Sequence, residues 1–272
     1  MSKNYKIRRI QKIFFKNKQL SIPDIRIKYN DFVKNRFKHL SIETEQGRLK
    51  RKISEHLVDL IPKEKLVIDA FAGAGILTII YALSGRKVYA IEKDPFVFRC
   101  LKKNIEIFGF KNVRLFQEDN LKVLGDLKRS WDYVSLIDLD PYNECVRQTE
   151  LSLKIIKNGI LLTTSGEIMH YKRFTHERDI IRKRYGKNPK SLLDIIPIFA
   201  SWVKNQRKDA RLRYFYVTKE IYRTVWEIGN FKIEDNLFDK FGNPFALFDF
   251  RWAKLKEKEG EKIVKEMKKY ET

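Results

Sequence analysis

Two stretches of this 272-residue chain set carboxylates beside residues that could bind a ligand. The first is DAFAGAG, Asp69 to Gly75, to which Glu92 belongs by position. Gly73 and Gly75 have no Cβ, so the backbone can turn tightly and let a ligand reach the amides that open the next helix. Glu92 closes a second apolar run 23 residues after Asp69, where an acid can accept both hydroxyls of a ribose. The second stretch is SLIDLDPYNE, Ser135 to Glu144, in which Asp138, Asp140, Pro141 and Tyr142 end an apolar run. Acids at the end of a buried strand cost free energy unless something pairs with them.

The elements that must position these groups alternate in type. LVIDAF and YVSLIDL read as parallel strands buried on both faces. Leu49, Ile53, Leu57 and Leu60 recur at helical spacing until Pro62 stops them. Thereafter the pattern predicts strands over 66–70, 87–92, 112–116, 133–138 and 159–164, with helices over 75–84, 94–108 and 144–157. Two basic helices are expected between 171 and 209, broken near Gly186 and Pro189. RLRYFYVTKE and YRTVWEIG form an antiparallel hairpin that closes the sheet, with Tyr214, Phe215 and Tyr216 in its core. The fold class is therefore α/β: a Rossmann-like, doubly wound, seven-stranded, mainly parallel sheet. Residues 1–47 form a basic extension, 48–230 the main domain, and 231–272 a tail with an aromatic cluster (Phe231 to Trp252) and a charged helix over 253–270.

DxFxGxG with an acid closing the second strand resembles the class I S-adenosylmethionine-dependent methyltransferases. A nicotinamide enzyme would want a further glycine about where Thr78 stands. The resemblance implies that S-adenosyl-L-methionine is held by Asp69, Ala70, Phe71, Gly73, Gly75, Glu92, Lys93, Asp119, Asn120 and Asp138. Asp119 would meet the adenine amino group and Asp69 the ligand's ammonium. D-L-D-P-Y in turn resembles the fourth motif of the tRNA guanine-N2 dimethyltransferases, although Asn143-Glu144-Cys145 stand where those carry G-S-P. It implies methylation of an exocyclic base amine, guanine N2 in tRNA first. Such a nitrogen is a poor nucleophile because its lone pair is delocalised. A carboxylate that accepts one N–H localises that pair and can take the proton. Asp138 is the first candidate for this role and Asp140 the second, with Tyr142 stacking on the base. The plain alternative is that these acids merely cap a strand and start a helix.

Charge points to the same kind of partner. Lys and Arg number 57 against 35 Asp and Glu, a formal net charge of +22, and an excess of that size favours a polyanion. Residues 1–52 alone carry 16 Lys or Arg against 4 Asp or Glu. Arg8, Arg9, Lys172, Arg173, Arg182, Arg184, Arg211 and Arg213 are the candidate phosphate contacts. No apolar run nears the roughly 20 residues of a membrane span, and the N-terminus lacks a signal-peptide core, so a soluble cytoplasmic protein is expected. It would act as a monomer or homodimer, with RNA favoured over DNA. Cys100, Cys145 and the four histidines show no metal-ligand spacing, and no metal is expected. Two alternatives stay open: a DNA amino-methyltransferase acting on adenine or cytosine, and a nucleic-acid-binding protein with a vestigial cofactor pocket.

Overall fold

The computed structural model describes residues 9–24, 45–127, 133–141, 144–168, 171, 177–191, 194–218, 221–234, 246–248 and 257–271. The chain divides into two compact units, Met1–Asn120 and Leu121–Thr272.

The first unit opens with an antiparallel hairpin, β1 (Arg9–Phe15) and β2 (Lys18–Asp24). Its two-residue turn, Lys16-Asn17, has both residues at positive φ, the backbone that matches the right-handed twist of the strands. α1 (Glu45–Asp59) follows and ends on Arg86, whose guanidinium donates to the Asp59 and Ile61 carbonyls at 2.9 and 2.6 Å. A cation there satisfies carbonyls that a helix end leaves open. β3 (Leu66–Asp69), β4 (Lys87–Ile91) and β5 (Val113–Phe116) pair in parallel in that order. α2 (Ile76–Leu83) and α3 (Pro95–Phe108) follow the first two strands. α3 starts where the sequence says it should: Asp94 accepts from the Phe96 and Val97 amides, Pro95 occupies the first turn, and Gly109 ends the helix at φ 68°.

One side chain binds three parts of this unit together. Asn104 of α3 is fully buried. Its Oδ1 accepts from the Ser21 amide at 2.7 Å, and its Nδ2 donates to the carbonyls of Ser21 and Ala74, each at 2.8 Å. The hairpin is thus hydrogen-bonded to the same helix that supports the glycine turn, and Leu20 of β2 packs with Ile79, Ala90 and Leu101.

The second unit contains α4 (Asn120–Leu127, its first residue shared with the boundary), β6 (Val134–Leu139), α5 (Val146–Ile155) and β7 (Gly159–Ser165). α6 (Glu177–Tyr185), α7 (Ile195–Gln206), β8 (Arg211–Val217), β9 (Tyr222–Ile228), β10 (Ala246–Phe248) and α8 (Glu257–Lys268) follow. β6 and β7 run parallel, β9 pairs antiparallel with both β7 and β8, and β10 lies parallel to β8. At Gly159 a Cβ would stand 2.1 Å from the Ser135 carbonyl oxygen, so only glycine admits this approach of β7 to β6.

These strands and pairings are those of the expected Rossmann-like α/β class, with a mixed sheet and an antiparallel β7-β9-β8 edge. Tyr214, Phe215 and Tyr216 are buried in that edge as expected. Four features differ from the expectation. The basic extension contains the β1–β2 hairpin, α4 and β10 were not foreseen, and α7 is not basic: Ile195, Ile196, Phe199, Ala200, Trp202 and Val203 are buried. The tail aromatics Phe238, Phe241, Phe245, Phe250 and Trp252 lie outside the described residues. Replacing Asn104 with the near-isosteric leucine leaves a buried N–H and two carbonyls without their partner. Asn104→Leu should lower unfolding free energy by about 1–3 kcal/mol, measured by urea denaturation.

Candidate functional site

Of the residues assigned to the cofactor, all but Asp138 lie in the first unit. β3 delivers Asp69, which is buried and accepts from Thr78 Oγ1 at 2.6 Å. Thr78 therefore has work of its own at the position where a nicotinamide fold would carry glycine. Gly73 and Gly75 sit at φ 54° and 91°. A Cβ on Gly75 would come within 2.6 Å of Leu101 Cδ1, so the turn needs glycine for both conformation and space.

Glu92, just past β4, receives the Gly73 amide on Oε2 at 3.1 Å and the Asp94 amide on Oε1 at 2.8 Å. Each oxygen accepts one bond, which leaves lone pairs for a diol. Burial raises its pKa, and the amide hydrogen bonds oppose that only in part. Asn120 donates to the Ala70 carbonyl at 3.0 Å, and Lys93 pairs with Asp119 at 3.1 Å on the exposed side. Asp69, Ala70, Gly73, Glu92, Lys93, Asp119 and Asn120 are thus linked by short contacts around one glycine turn, and Phe71 lies within that turn. This arrangement fits a nucleoside-bearing ligand: a Cβ-free approach, an acid for the ribose and an acid beyond β5.

The acid pair lies in the second unit, where the structure separates its members. Asp138 is completely buried, and its Oδ2 accepts from Arg223 Nη2 at 2.7 Å. Arg223 is itself completely buried, donates to Thr164 Oγ1 at 2.6 Å, and stands 3.9 Å from Asp140. Burial disfavours the guanidinium, but Asp138 and Asp140 outweigh it and hold its pKa above the usual arginine range. Asp140 keeps about 20% of its side chain exposed. The accessible carboxylate of the pair is Asp140, not the first candidate Asp138. Pro141 is half-buried, and Tyr142 lies outside the described residues.

A second buried acid has no counterpart in the sequence reading. Glu167 accepts from Tyr222 at 2.8 Å, from Ser165 and Arg184 at 3.0 Å, and from Tyr185 at 3.0 and 3.1 Å. Burial pushes its carboxyl up despite these donors. Arg184 also stands 3.7 Å from Glu144, so it joins this network to the loop after β6. Cys145 is buried, and desolvation keeps its thiol protonated.

Of the expected phosphate contacts, three are engaged inside the fold: Arg184 by Glu167, Arg211 by Glu227 at 3.3 Å, and Arg213 by Glu271 at 3.5 Å. A basic residue in the sequence is a candidate for phosphate only if no acid of the fold claims it. Arg182 is exposed, with Asp179 at 3.3 Å. Arg9 begins β1, whereas Arg8, Lys172 and Arg173 lie outside the described residues. Among the described residues no helix is long and apolar enough to cross a membrane.

A glycine turn after the first parallel strand, with an acid closing the second, defines the class: a methyltransferase domain whose cofactor is S-adenosylmethionine. Within it the chain belongs to the TRM5/TYW2 methyltransferase domain family, whose profile matches residues 49–189. It is 34% identical over 125 residues to an uncharacterized protein of Methanocaldococcus jannaschii, covering 45% of this chain and 46% of that one. It is 29% identical over 123 residues to the tRNA(Phe) (4-demethylwyosine(37)-C(7)) aminocarboxypropyltransferase of Pyrococcus horikoshii, covering 45% and 40%. The matches thus span less than half the length of these curated relatives. In fold, the chain is similar to Trm1 from Pyrococcus horikoshii with S-adenosyl-L-methionine: TM-score 0.53, 16% identity, 66% of this chain and 56% of that one. It is also similar to the M. jannaschii tRNA m1G37 methyltransferase: TM-score 0.50, 13% identity, 81% and 57%. The likeness to Trm1 is one of fold, and the family is TRM5/TYW2.

Two measurements probe the two halves. Ribose hydroxyls need the ionised form of Glu92, whose pKa lies above the ordinary 4.5. Affinity for S-adenosylmethionine by calorimetry should therefore fall as pH drops, beginning above the usual carboxylate range, and Glu92→Gln should bind weakly at every pH with that dependence removed. Arg223→Met strands the buried Asp138 charge and should cost about 3–5 kcal/mol in denaturant unfolding, much of it recovered by adding Asp138→Leu.

Proposed function

We propose that this protein methylates an exocyclic amine of a base in tRNA, with guanine N2 as the leading target. The observation that carries this reading is Asp140: a partly exposed carboxylate beside a fully buried arginine, placed directly after β6 and before Pro141-Tyr142. S-adenosylmethionine, when bound, supplies an electrophilic methyl group on a cationic sulfur. The chain must then bind the base, orient its amine and remove one proton. Asp140 accepts an N–H of that amine and takes its proton. Asp138 is the counter-charge that keeps Arg223 in place. The glycine turn, Glu92 and Asp119 hold the donor. An RNA substrate is supported by the formal charge of +22 and by the tRNA named for the Pyrococcus relative.

The test is incubation of the protein with labelled S-adenosylmethionine and bulk tRNA, rRNA or DNA, followed by mass spectrometry of the nucleosides. The expected product is N2-methylguanosine in tRNA. Methylated adenine or cytosine in DNA would establish the alternative substrate, and an aminocarboxypropyl adduct would reassign the group transferred. No affinity for the cofactor in calorimetry would leave a binding protein only. Asp140→Asn should lower kcat by about 100-fold or more while leaving cofactor affinity within a few fold; full activity in that variant would end the assignment of the proton acceptor.

A further inference from the structure

The β1–β2 hairpin has a built inner face and an outer face of different chemistry. Exposure alternates along β1 as a strand on a packed body requires: Ile13 and Phe15 turn inward, Lys12 and Phe14 outward. Phe14 is 75% exposed, the most exposed large hydrophobic residue among those described. Lys12, Lys16 and Lys18 are all exposed. Lys12 shares the outer face with Phe14 and donates to Ser21 Oγ at 2.8 Å, Lys16 in the turn pairs with Glu55 at 2.9 Å, and Lys18 stands opposite Phe15 on the other face. The ring is held on a fixed frame rather than a loose arm, because Leu20 is in the core and the Ser21 backbone is bonded twice to Asn104. The same Asn104 amide bonds Ala74 in the glycine turn, so this platform is tied to the loop assigned to the cofactor.

An exposed aromatic ring among ammonium groups suits one partner chemistry better than others. A base has a π-face for the ring, and a flanking phosphate takes Lys12. In a duplex the base faces are stacked on one another, so a free face belongs to a loop or single strand. We propose that the β1–β2 hairpin is a docking platform for an unpaired segment of RNA, with Phe14 stacking on a base and Lys12, on the same face, against a flanking phosphate. The proposal rests on the RNA reading above and adds where the RNA docks.

Fluorescence anisotropy with the full-length protein tests it, using a labelled RNA stem-loop and a blunt RNA duplex of equal length. Phe14→Ala should weaken stem-loop binding by about tenfold, leave duplex binding within twofold, and leave S-adenosylmethionine affinity by calorimetry unchanged. Phe14→Trp should restore stem-loop affinity, and Lys12→Ala should lessen its salt dependence. Stem-loop binding by Phe14→Ala equal to the parent's overturns the platform while leaving the RNA reading intact. Failure of the parent to bind either RNA, with cofactor affinity retained, overturns the RNA reading itself. Loss of stem-loop and duplex binding to the same degree would make Phe14 a structural residue and also refute the platform.

Discussion

The ion pair between Arg223 and Asp138 is the constraint on which the second unit is arranged. Both groups are without solvent contact, and removing a charge from water costs several kcal/mol even after the protein relaxes. The arrangement offsets that cost by short contacts from three strands: β6 supplies Asp138, β7 supplies Thr164, and β9 supplies the arginine. Thr164 and Arg223 are direct cross-strand partners, so register and charge pairing agree. A slip of one residue would turn Arg223 to the other face and leave Asp138 buried without its counter-charge. The antiparallel edge is therefore more than a cover for the parallel strands. It carries the cation that lets an acid be buried in β6.

β9 serves both of its faces in this way. Tyr222 and Arg223 are neighbours in sequence and point in opposite directions, Tyr222 to Glu167 and Arg223 to Asp138. The loop leaving β6 is consequently held at two points by arginines from elsewhere in the unit: Asp140 faces Arg223, and Glu144 faces Arg184. Prearranged charge of this kind needs no reorganisation when a ligand arrives. The first unit solves a comparable problem with neutral groups. There the three hydrogen bonds of Asn104 join hairpin, helix and glycine turn without burying any charge.

Much of this was legible before any coordinates. The glycine turn and the acid closing β4 are local devices, set by residues a few positions apart whose backbone demands are specific to their types. The parallel strands show as unbroken apolar runs, and the closing hairpin as two β-rich runs around a turn. α4 escaped notice because NLKVLGDL is short and carries a glycine, and the apolar character of α7 because flanking lysines and arginines masked the core IIPIFASWV. Basic composition suggests a polyanionic partner but does not say which cations the fold leaves available for one.

The sequence by itself determined the class of fold, the cradle and the pair of acids, because each is written in contiguous residues. Tertiary structure decided which acid is which. Asp138 and Asp140 are alike in type and two positions apart, and nothing local distinguishes them. The distinction comes from Arg223, 85 residues away in the chain and directed at Asp138 by strand pairing. Burial and long-range pairing belong to the folded sheet, and they bury Asp138 completely while leaving Asp140 partly exposed.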